Sequence, residues 1–276
     1  MTEAQTTLLH VHENNIDNKI SQSSRSKGKI IYGYKGLGNE FTNFKNEVYL
    51  PFRKKVEALT FDENTPESFK VATVAFNEYY NQLLSFSKKH KITAQSKFES
   101  TFLEEMSCYL FKDLPEIKFG TLGIFNKGIY AGLKIDSHNK IAVITKDVDF
   151  CIGKKVSISI DDQKPTVLIL PVVAVEVKTY MDKTMFGEIK SSSQDIRSAS
   201  PHSKAYVLTG HKSIKDEPII AARQDSMLTE IFVLREKENA PMDAAVVFDY
   251  WQEIRNAVKQ ISIPETVNSH GRLLKP

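Results

Sequence analysis

The spacing of apolar residues changes along the chain, from a helical period before Pro115 to short strand-like runs after it. Residues 67–89 and 96–114 place apolar and aromatic side chains every three to four positions, which is typical of helices that bury one face. After Pro115, apolar and β-branched residues cluster in short runs. These runs predict strands over residues 129–133, 141–144, 150–152, 156–160 and 167–178, with a turn over 161–165.

The longest of these runs, residues 167–178, contains Pro171, so we expect it to bend there or to begin its central part there. Beyond it, the pattern predicts a helix over 183–198, strands over 205–208 and 231–234, and an amphipathic helix over 248–261. This order predicts an α/β fold in which a mixed central sheet is flanked by helices and preceded by a mainly helical N-terminal part.

The chain has 276 residues, of which 41% are hydrophobic, enough to bury one large core. Residues 1–30 are polar, and we expect a flexible leader there. Residues 31–276 are expected to form a single domain, with the helical part over 31–115 and the sheet-containing core over 116–262.

Composition adds little to the functional picture. The formal net charge is only +3 with a pI of about 8.6, so binding to a polyanion would depend on local clusters of basic residues. Cys108 and Cys151 lie in apolar contexts and are expected to be buried free thiols. The N-terminus lacks the pattern of a signal peptide and no run of 18 apolar residues occurs, so we expect a soluble cytoplasmic protein.

A carboxylate, one intervening residue and a lysine recur five times in the chain, and the surroundings of each triplet distinguish them. Four of the triplets lie in the polar leader, after a proline, in a turn or in a solvated helix. Only Glu176-Val177-Lys178 ends an apolar strand, and the acidic pair Asp147 and Asp149 precedes it by about one hairpin. In a strand, residues two apart face the same side of the sheet, so Glu176 and Lys178 would project together.

Charges at a buried strand end are costly unless each has a partner. A divalent cation would compensate two carboxylates, and Mg²⁺ prefers oxygen ligands while retaining several waters. Asp149, Glu176 and the carbonyl of Val177 meet that description; Asp149 is preferred to Asp147 because the strand at 150–152 follows it directly. Lys178 would orient or deprotonate an attacking water and stabilise charge on a reacting phosphate. The alternative interpretation is a structural ion pair at a sheet edge.

Several basic residues are candidate DNA contacts. Arg25, Lys27 and Lys29 would form an arm that closes on nucleic acid, although a disordered leader is the alternative. Lys35 belongs to a stretch of interleaved aromatic and basic residues, 30–54, suited to phosphate contact and stacking or to a packed loop leading into a helix. Lys183 begins the predicted helix 183–198 and would contact the DNA backbone together with Asp182, or Asp182 would only cap this helix. Lys204 belongs, with residues 191–193, to a polar cluster that would contact phosphates or be solvated.

The order Asp149, then Glu176-Val177-Lys178, then a helix and a strand resembles the PD-(D/E)xK fold of type II restriction endonucleases. The strings 176–185 and 146–150, together with 102–105, resemble more narrowly the subunits of BbvCI-type heterodimeric restriction enzymes, over roughly residues 95–260. The proline that often precedes the first acidic residue of that motif is missing before Asp149.

The resemblance implies Mg²⁺-dependent, sequence-specific cleavage of double-stranded DNA that leaves 5′-phosphate and 3′-hydroxyl ends. It also implies a supporting acid from a preceding helix, here Glu104 or Glu105. One such site cuts one strand, so a second nuclease subunit, non-identical or a second copy, is implied. Two alternatives remain at this point: a structure-selective or repair nuclease on the same core, and a non-catalytic DNA-binding subunit.

Overall fold

The structure, a computed structural model, describes residues 9–23, 36–93, 96–137, 140–159, 165–224 and 228–261. The helices of these residues are α1 (Val11–Ser23), α2 (Gly38–Phe44), α3 (Leu50–Glu57), α4 (Pro66–Lys89), α5 (Ser100–Phe111), α6 (Pro115–Lys118), α7 (Lys183–Ala199), α8 (Asp216–Gln224) and α9 (Ala244–Ile261), with a π-helical segment, Lys45–Tyr49, between α2 and α3. The strands are β1 (Gly123–Phe125), β2 (Ile129–Ile135), β3 (Ile141–Lys146), β4 (Phe150–Ile158), β5 (Thr166–Met181), β6 (Lys204–Lys212) and β7 (Glu230–Val233).

The described strands form one mixed seven-stranded sheet organised around β5. β4 runs antiparallel to β5 along one edge, and β1 continues the sheet beyond β4. Along the other edge, β5 pairs first with β2 and then, from Val173 onward, with β6, which carries β7 beside it. The expected α/β fold, a mixed sheet flanked by helices with a helical N-terminal part, is confirmed.

The bend expected at Pro171 occurs as a β-bulge. Ile152 of β4 faces Val173 of β5, but the next residue, Gly153, faces Pro171, so β5 carries one extra residue at this point. Gly153 suits the close approach of the strands because a Cβ there would lie 2.5 Å from the carbonyl oxygen of Leu170. The runs 150–152 and 156–160, predicted as separate strands, therefore join into β4, which ends at Ile158.

The two faces of β5 have different partners, which follows from the two-residue period of a strand. Val173, Val175 and Val177 belong to the large core formed with α4, α5 and α9. Ala174 packs with Ile196 of α7 on the opposite face. Glu176 and Lys178 continue the series that begins with Ala174, so they lie on the α7 face.

The expectation of a flexible leader over residues 1–30 is wrong for the part of it that forms α1. His12 and Ile16 of α1 are fully buried against the helical part. The carboxylate of Glu105 accepts hydrogen bonds from the His12 backbone N–H (2.8 Å) and from the Tyr49 hydroxyl (2.7 Å). The polar composition misled the prediction because a few buried residues and one carboxylate suffice to dock this helix. Residues 1–8 and 24–30 lie outside the described residues.

The aromatic residues interleaved with basic ones before residue 54 are part of the core where they are described. Phe41, Phe44, Tyr49 and Phe52 are buried, and Phe52 stacks on Tyr79 with ring centroids 4.2 Å apart. They are therefore not free to stack on bases. The packed interpretation is correct for this part, whereas residues 30–35 fall outside the described residues.

The remaining elements agree with the pattern of the sequence except where an element is short. The helices expected over 67–89, 96–114, 183–198 and 248–261, and the strands expected over 129–133, 141–144, 205–208 and 231–234, are all present with shifted ends. The short elements α2, α3, α6, β1 and α8 were not foreseen, and the turn expected at 161–165 lies almost entirely outside the described residues. Cys108 and Cys151 are buried free thiols. Within the described residues, none of the helices combines the length and apolar character needed to cross a membrane.

Removal of the Glu105 carboxylate should destabilise the protein strongly. Glu105→Ala leaves the hydroxyls of Tyr49 and Tyr109 and the His12 N–H without their buried acceptor, and each such loss costs about 1–3 kcal/mol. We expect a fall of about 3 kcal/mol or more in the free energy of unfolding, measured by urea denaturation. The control Glu78→Ala, on the exposed side of α4, should change it by less than about 0.5 kcal/mol. Equal effects of the two substitutions would contradict the anchoring role of Glu105.

Candidate active site

The structure brings Asp149, Glu176 and Lys178 together beside the middle of β5. Asp149 immediately precedes β4, and its Oδ2 accepts a hydrogen bond from the backbone N–H of Val177 at 2.8 Å. The Lys178 Nζ lies 3.7 Å from the same Asp149 oxygen and 3.4 Å from Oε2 of Glu176. The three side chains are 16–28% exposed, so they are partly open to solvent and do not lie in the core.

The carbonyl of Val177 is directed to the same edge of β5 as its N–H, because both groups of one strand residue point to the same neighbouring strand. Since that N–H reaches Asp149, the carbonyl oxygen also faces the edge where Asp149 lies. The backbone thus adds an oxygen on the side of the first carboxylate.

The charges of Asp149, Glu176 and Lys178 shift the pKa values of Glu176 and Lys178. Burial raises the pKa of Glu176, and the nearby negative charge of Asp149 raises it further. Burial opposes charge on Lys178, but the carboxylates of Asp149 and Glu176 outweigh it and hold the pKa of the amine above its usual value. Lys178 is therefore an ammonium at neutral pH, while the carboxylates still repel each other.

Helix α7 contributes a residue that the sequence analysis did not single out. The hydroxyl of Ser192 donates to Oε1 of Glu176 at 2.8 Å. Together with Glu176, Lys178, Glu188 and Ile189 it lines a small cavity of about 120 Å³ between β5 and α7. The residues around 191–193 were read only as a polar cluster. The available signal was a serine within the buried stripe of α7, between Ile189 and Ile196.

Asp147, the alternative to Asp149, has a different position. Its Oδ1 accepts a hydrogen bond from the Gly128 N–H at 3.1 Å, and the neighbouring Lys127 N–H donates to the Val148 carbonyl at 2.9 Å. Lys127 and Gly128 both have positive φ angles, of 78° and 63°. Asp147 therefore holds the turn before β2.

The candidate supporting acids, Glu104 and Glu105, diverge from one another on α5. Glu105 faces α1 and accepts the hydrogen bonds described above, so it is occupied by the helical part. Glu104 is buried, and burial, followed by the charge of Asp149, raises its pKa to about 7. The positive charges of Lys97, Lys178 and Lys127 act in the opposite direction. Of the two, Glu104 is the residue electrically coupled to Asp149 and Lys178.

The candidate DNA contacts are spread along the chain. Lys183 is exposed at the first turn of α7, which Asp182 caps by accepting from the Met185 N–H at 2.8 Å. Lys204 begins β6 and faces Val173 of β5. The strand geometry thus separates Lys183 and Lys204, which lie toward opposite ends of the β5–β6 pair. Arg25, Lys27, Lys29 and Lys35 lie outside the described residues.

Two carboxylates, a backbone carbonyl and an adjacent ammonium fit a hard divalent cation such as Mg²⁺ better than a softer metal. The mutual repulsion of Asp149 and Glu176, seen in the raised pKa of Glu176, is the charge excess that such a cation would relieve. Among the described residues, no group of three or more His, Cys, Asp or Glu side chains is arranged to hold a metal. A cation here would therefore depend on the carbonyl and on water for its remaining ligands.

Comparison with known proteins places the chain in a family. The sequence model described as Bpu10I restriction endonuclease matches residues 95–263, a range that spans α5, all seven strands, α7 and the three site residues. The chain belongs to the Bpu10I restriction endonuclease family. No curated protein matches the chain.

A solved structure described as "native BbvCI A2B2 tetramer at low resolution" has the same fold as this Bpu10I-family chain. One of its chains superposes with a TM-score of 0.70 at 17% sequence identity, and the match covers 92% of this chain and 98% of that one. The resemblance to type II restriction endonucleases, and to BbvCI subunits among them, is confirmed.

Because the pKa of Glu104 is raised, we expect the stability of this Bpu10I-family protein to depend on pH. The pKa of the Glu104 carboxyl is about 7 in the folded protein, against an ordinary value of 4.5. Between pH 4.5 and 7 the carboxyl therefore binds more protons in the folded than in the unfolded state, so the free energy of unfolding falls as the pH rises through this range. Glu104→Gln removes the titration. Measured without divalent metal, the variant should match the wild type near pH 5 and exceed it at pH 8 by up to about 3 kcal/mol. Urea denaturation at both pH values provides the test. An equal difference in stability between variant and wild type at pH 5 and pH 8 would contradict the raised pKa of Glu104.

Proposed function

We propose that this chain is a Mg²⁺-dependent endonuclease subunit that hydrolyses one strand of double-stranded DNA at a specific site and leaves 5′-phosphate and 3′-hydroxyl ends. The observation that carries the proposal is the convergence of Asp149, Glu176 and Lys178 beside β5, with Lys178 within 4 Å of both carboxylates. Family membership supports nuclease chemistry, and the site supplies the groups that phosphodiester hydrolysis requires.

Asp149, Glu176 and the Val177 carbonyl would hold the cation. When bound, Mg²⁺ lowers the pKa of a coordinated water and neutralises charge on the leaving oxygen. The protein's part is to hold two carboxylates at a distance where they repel each other without it. Asp149 is fixed by the Val177 N–H, and Glu176 is fixed by Lys178 and by α7.

Lys178 acts as a positive charge. Its ammonium would attract the scissile phosphate, orient the attacking water and stabilise the extra negative charge of the transition state. Its raised pKa argues against a second role considered from the sequence, that of removing a proton from the water. Glu104 would be the supporting acid, close enough to interact with both Asp149 and Lys178.

One site of this kind cuts one strand, so cleavage of a duplex requires a second active site. The structurally similar BbvCI is described as an A2B2 tetramer. We therefore propose that this chain works with a second nuclease subunit, non-identical or a second copy. Lys183 and Lys204, together with Arg25, Lys27, Lys29 and Lys35, remain the proposed DNA contacts.

The domain division also remains a proposal, with one revision. The helical part and the sheet-containing core (116–262) would form one nuclease domain that begins before residue 31, since α1 packs into the helical part through Ile16 and Glu105.

A non-catalytic DNA-binding subunit is the second candidate function. One observation favours it, because Lys178 already lies within 4 Å of both carboxylates and partly neutralises them. In that case the three residues would be a structural ion-pair group. Metal binding separates the two functions, since only the catalytic one requires it.

Lys178→Ala should abolish nicking while leaving DNA binding intact. Loss of the ammonium removes transition-state stabilisation worth about 10²–10³-fold in rate, whereas DNA affinity depends on many phosphate contacts. The assay is conversion of supercoiled plasmid to nicked circles by the full chain with Mg²⁺, followed by mapping of the ends, with binding measured by gel shift in Ca²⁺.

The control for this assay is Lys70→Ala, which removes an exposed lysine of α4 with 66% of its side chain accessible. It should cleave at the wild-type rate. Wild-type nicking by the Lys178 variant, or loss of DNA binding by a folded Lys178 variant, would contradict the proposed role. Scattered or junction-dependent ends from the wild type would instead indicate a structure-selective nuclease.

The matched pair Asp149→Asn and Asp147→Asn tests which aspartate binds the metal. Both changes remove one charge and keep the shape, but only Asp149 faces Val177 and Lys178. In calorimetric titrations with Mg²⁺, Asp149→Asn should abolish the binding heat and Asp147→Asn should retain it. The reverse result would exchange the two roles, and a wild type that binds no Mg²⁺, even with DNA present, would favour the non-catalytic function.

A further inference from the structure

Helix α7 buries two serine side chains in its otherwise apolar stripe, and one of them, Ser192, contacts the candidate active site. Its buried stripe consists of Phe186, Ile189, Ser192, Ser193 and Ile196. The stripe packs on the sheet face that carries Ala174, Glu176 and Lys178, as the contact between Ile196 and Ala174 shows. Ser192 is only 8% exposed at this interface.

A buried hydroxyl costs free energy unless it forms a hydrogen bond. A serine in a helix can satisfy its hydroxyl with the carbonyl four residues earlier, as Ser85 of α4 does with Asn81 at 2.8 Å. The Ser192 hydroxyl instead reaches across to β5 and donates to Oε1 of Glu176 at 2.8 Å. The bond therefore connects two elements at the candidate active site.

Ser192 and Lys178 contact different oxygens of the Glu176 carboxylate. Oε1 is held by Ser192, whereas Oε2 lies 3.4 Å from Lys178 on the side of Asp149. A glutamate side chain has several rotatable bonds, and a carboxylate held at both oxygens loses most of that freedom before any ligand arrives. Cation binding then requires less ordering of this side chain.

We propose that Ser192 is a positioning residue that fixes the Glu176 carboxylate in the orientation required to bind a divalent cation together with Asp149. This inference rests on the proposed metal-dependent function and adds a residue to it. Ser192 acts through Glu176 and does not touch the reacting atoms.

The adjacent serine provides a matched control. Ser193 is also buried on α7, at 2% exposure, and Ser193→Ala removes the same atom from the next position of the same helix. A general effect of losing a buried hydroxyl from α7 should therefore appear in both variants. Only an effect transmitted through Glu176 should be confined to Ser192→Ala.

The test is titration of the full chain with Mn²⁺ alone, followed by electron paramagnetic resonance of the free ion. Groups that hold a metal ligand through a hydrogen bond typically change metal affinity by about 10- to 100-fold. We expect Ser192→Ala to raise the Mn²⁺ dissociation constant by about that factor, and Ser193→Ala to leave it close to the wild-type value. Thermal melting without metal should be similar for the two variants.

Nicking kinetics supply a second readout. If Ser192 only positions Glu176, its alanine variant should need more Mg²⁺ for half-maximal nicking while the rate at saturating Mg²⁺ recovers toward the wild type. A purely structural defect would lower that plateau and the melting temperature together.

The outcomes are distinct. Wild-type Mn²⁺ affinity in Ser192→Ala, or equal weakening in Ser192→Ala and Ser193→Ala, would overturn the positioning role while leaving the proposed nuclease function standing. A wild-type chain that binds no Mn²⁺, even when the titration is repeated with duplex DNA present, would overturn both.

Discussion

The central interaction of the structure is the close approach of two carboxylates, those of Asp149 and Glu176, to the ammonium of Lys178. Asp149 and Glu176 approach Lys178 at 3.7 and 3.4 Å, and less than a third of each side chain is exposed to solvent. Burial and mutual repulsion raise the pKa of Glu176, so the arrangement carries an electrostatic cost in the absence of another cation. Under the proposed function, a divalent cation bound to the two carboxylates would relieve that cost.

Several elements of the surrounding fold position this arrangement. The bulge at Pro171 marks the point where β5 exchanges β2 for β6 as its neighbour, so that Glu176 and Lys178 lie in the part of β5 bordered by Asp149 on one side and β6 on the other. Helix α7 covers one face and holds Glu176 through Ser192. Helix α5 covers the other face and directs two adjacent acids differently: Glu105 anchors α1, whereas Glu104 interacts with the charges of Asp149 and Lys178.

The sequence predicted the long elements, in which apolar residues recur at a regular spacing, and the one charged triplet that lies next to an apolar run. Helix α4, helix α9 and the strand β5 follow from apolar spacing, and Glu176-Val177-Lys178 was distinguishable from four similar triplets because it alone follows an apolar core run, although β5 continues past it to Met181. The preference for Asp149 over Asp147 came from its position beside the next strand, and Asp149 is the aspartate found next to Glu176 and Lys178. These inferences needed only local information.

The missed features depend on contacts between distant residues. Helix α1 was read as a leader because its docking relies on Glu105, 93 residues away from His12 along the chain. The role of Ser192 depends on a strand 16 residues upstream. The opposite directions of Glu104 and Glu105 follow from the angle between successive residues on α5, which is visible only once the neighbours of that helix are known.

The central claim is that Asp149, Glu176 and the carbonyl of Val177 share one cation beside Lys178. The most direct measurement is the anomalous scattering of Mn²⁺ in crystals of the full chain bound to duplex DNA. The account predicts a peak within coordination distance of all three oxygens and next to a backbone phosphate. A peak located elsewhere, with Lys178 still filling the space between the two carboxylates, would contradict it.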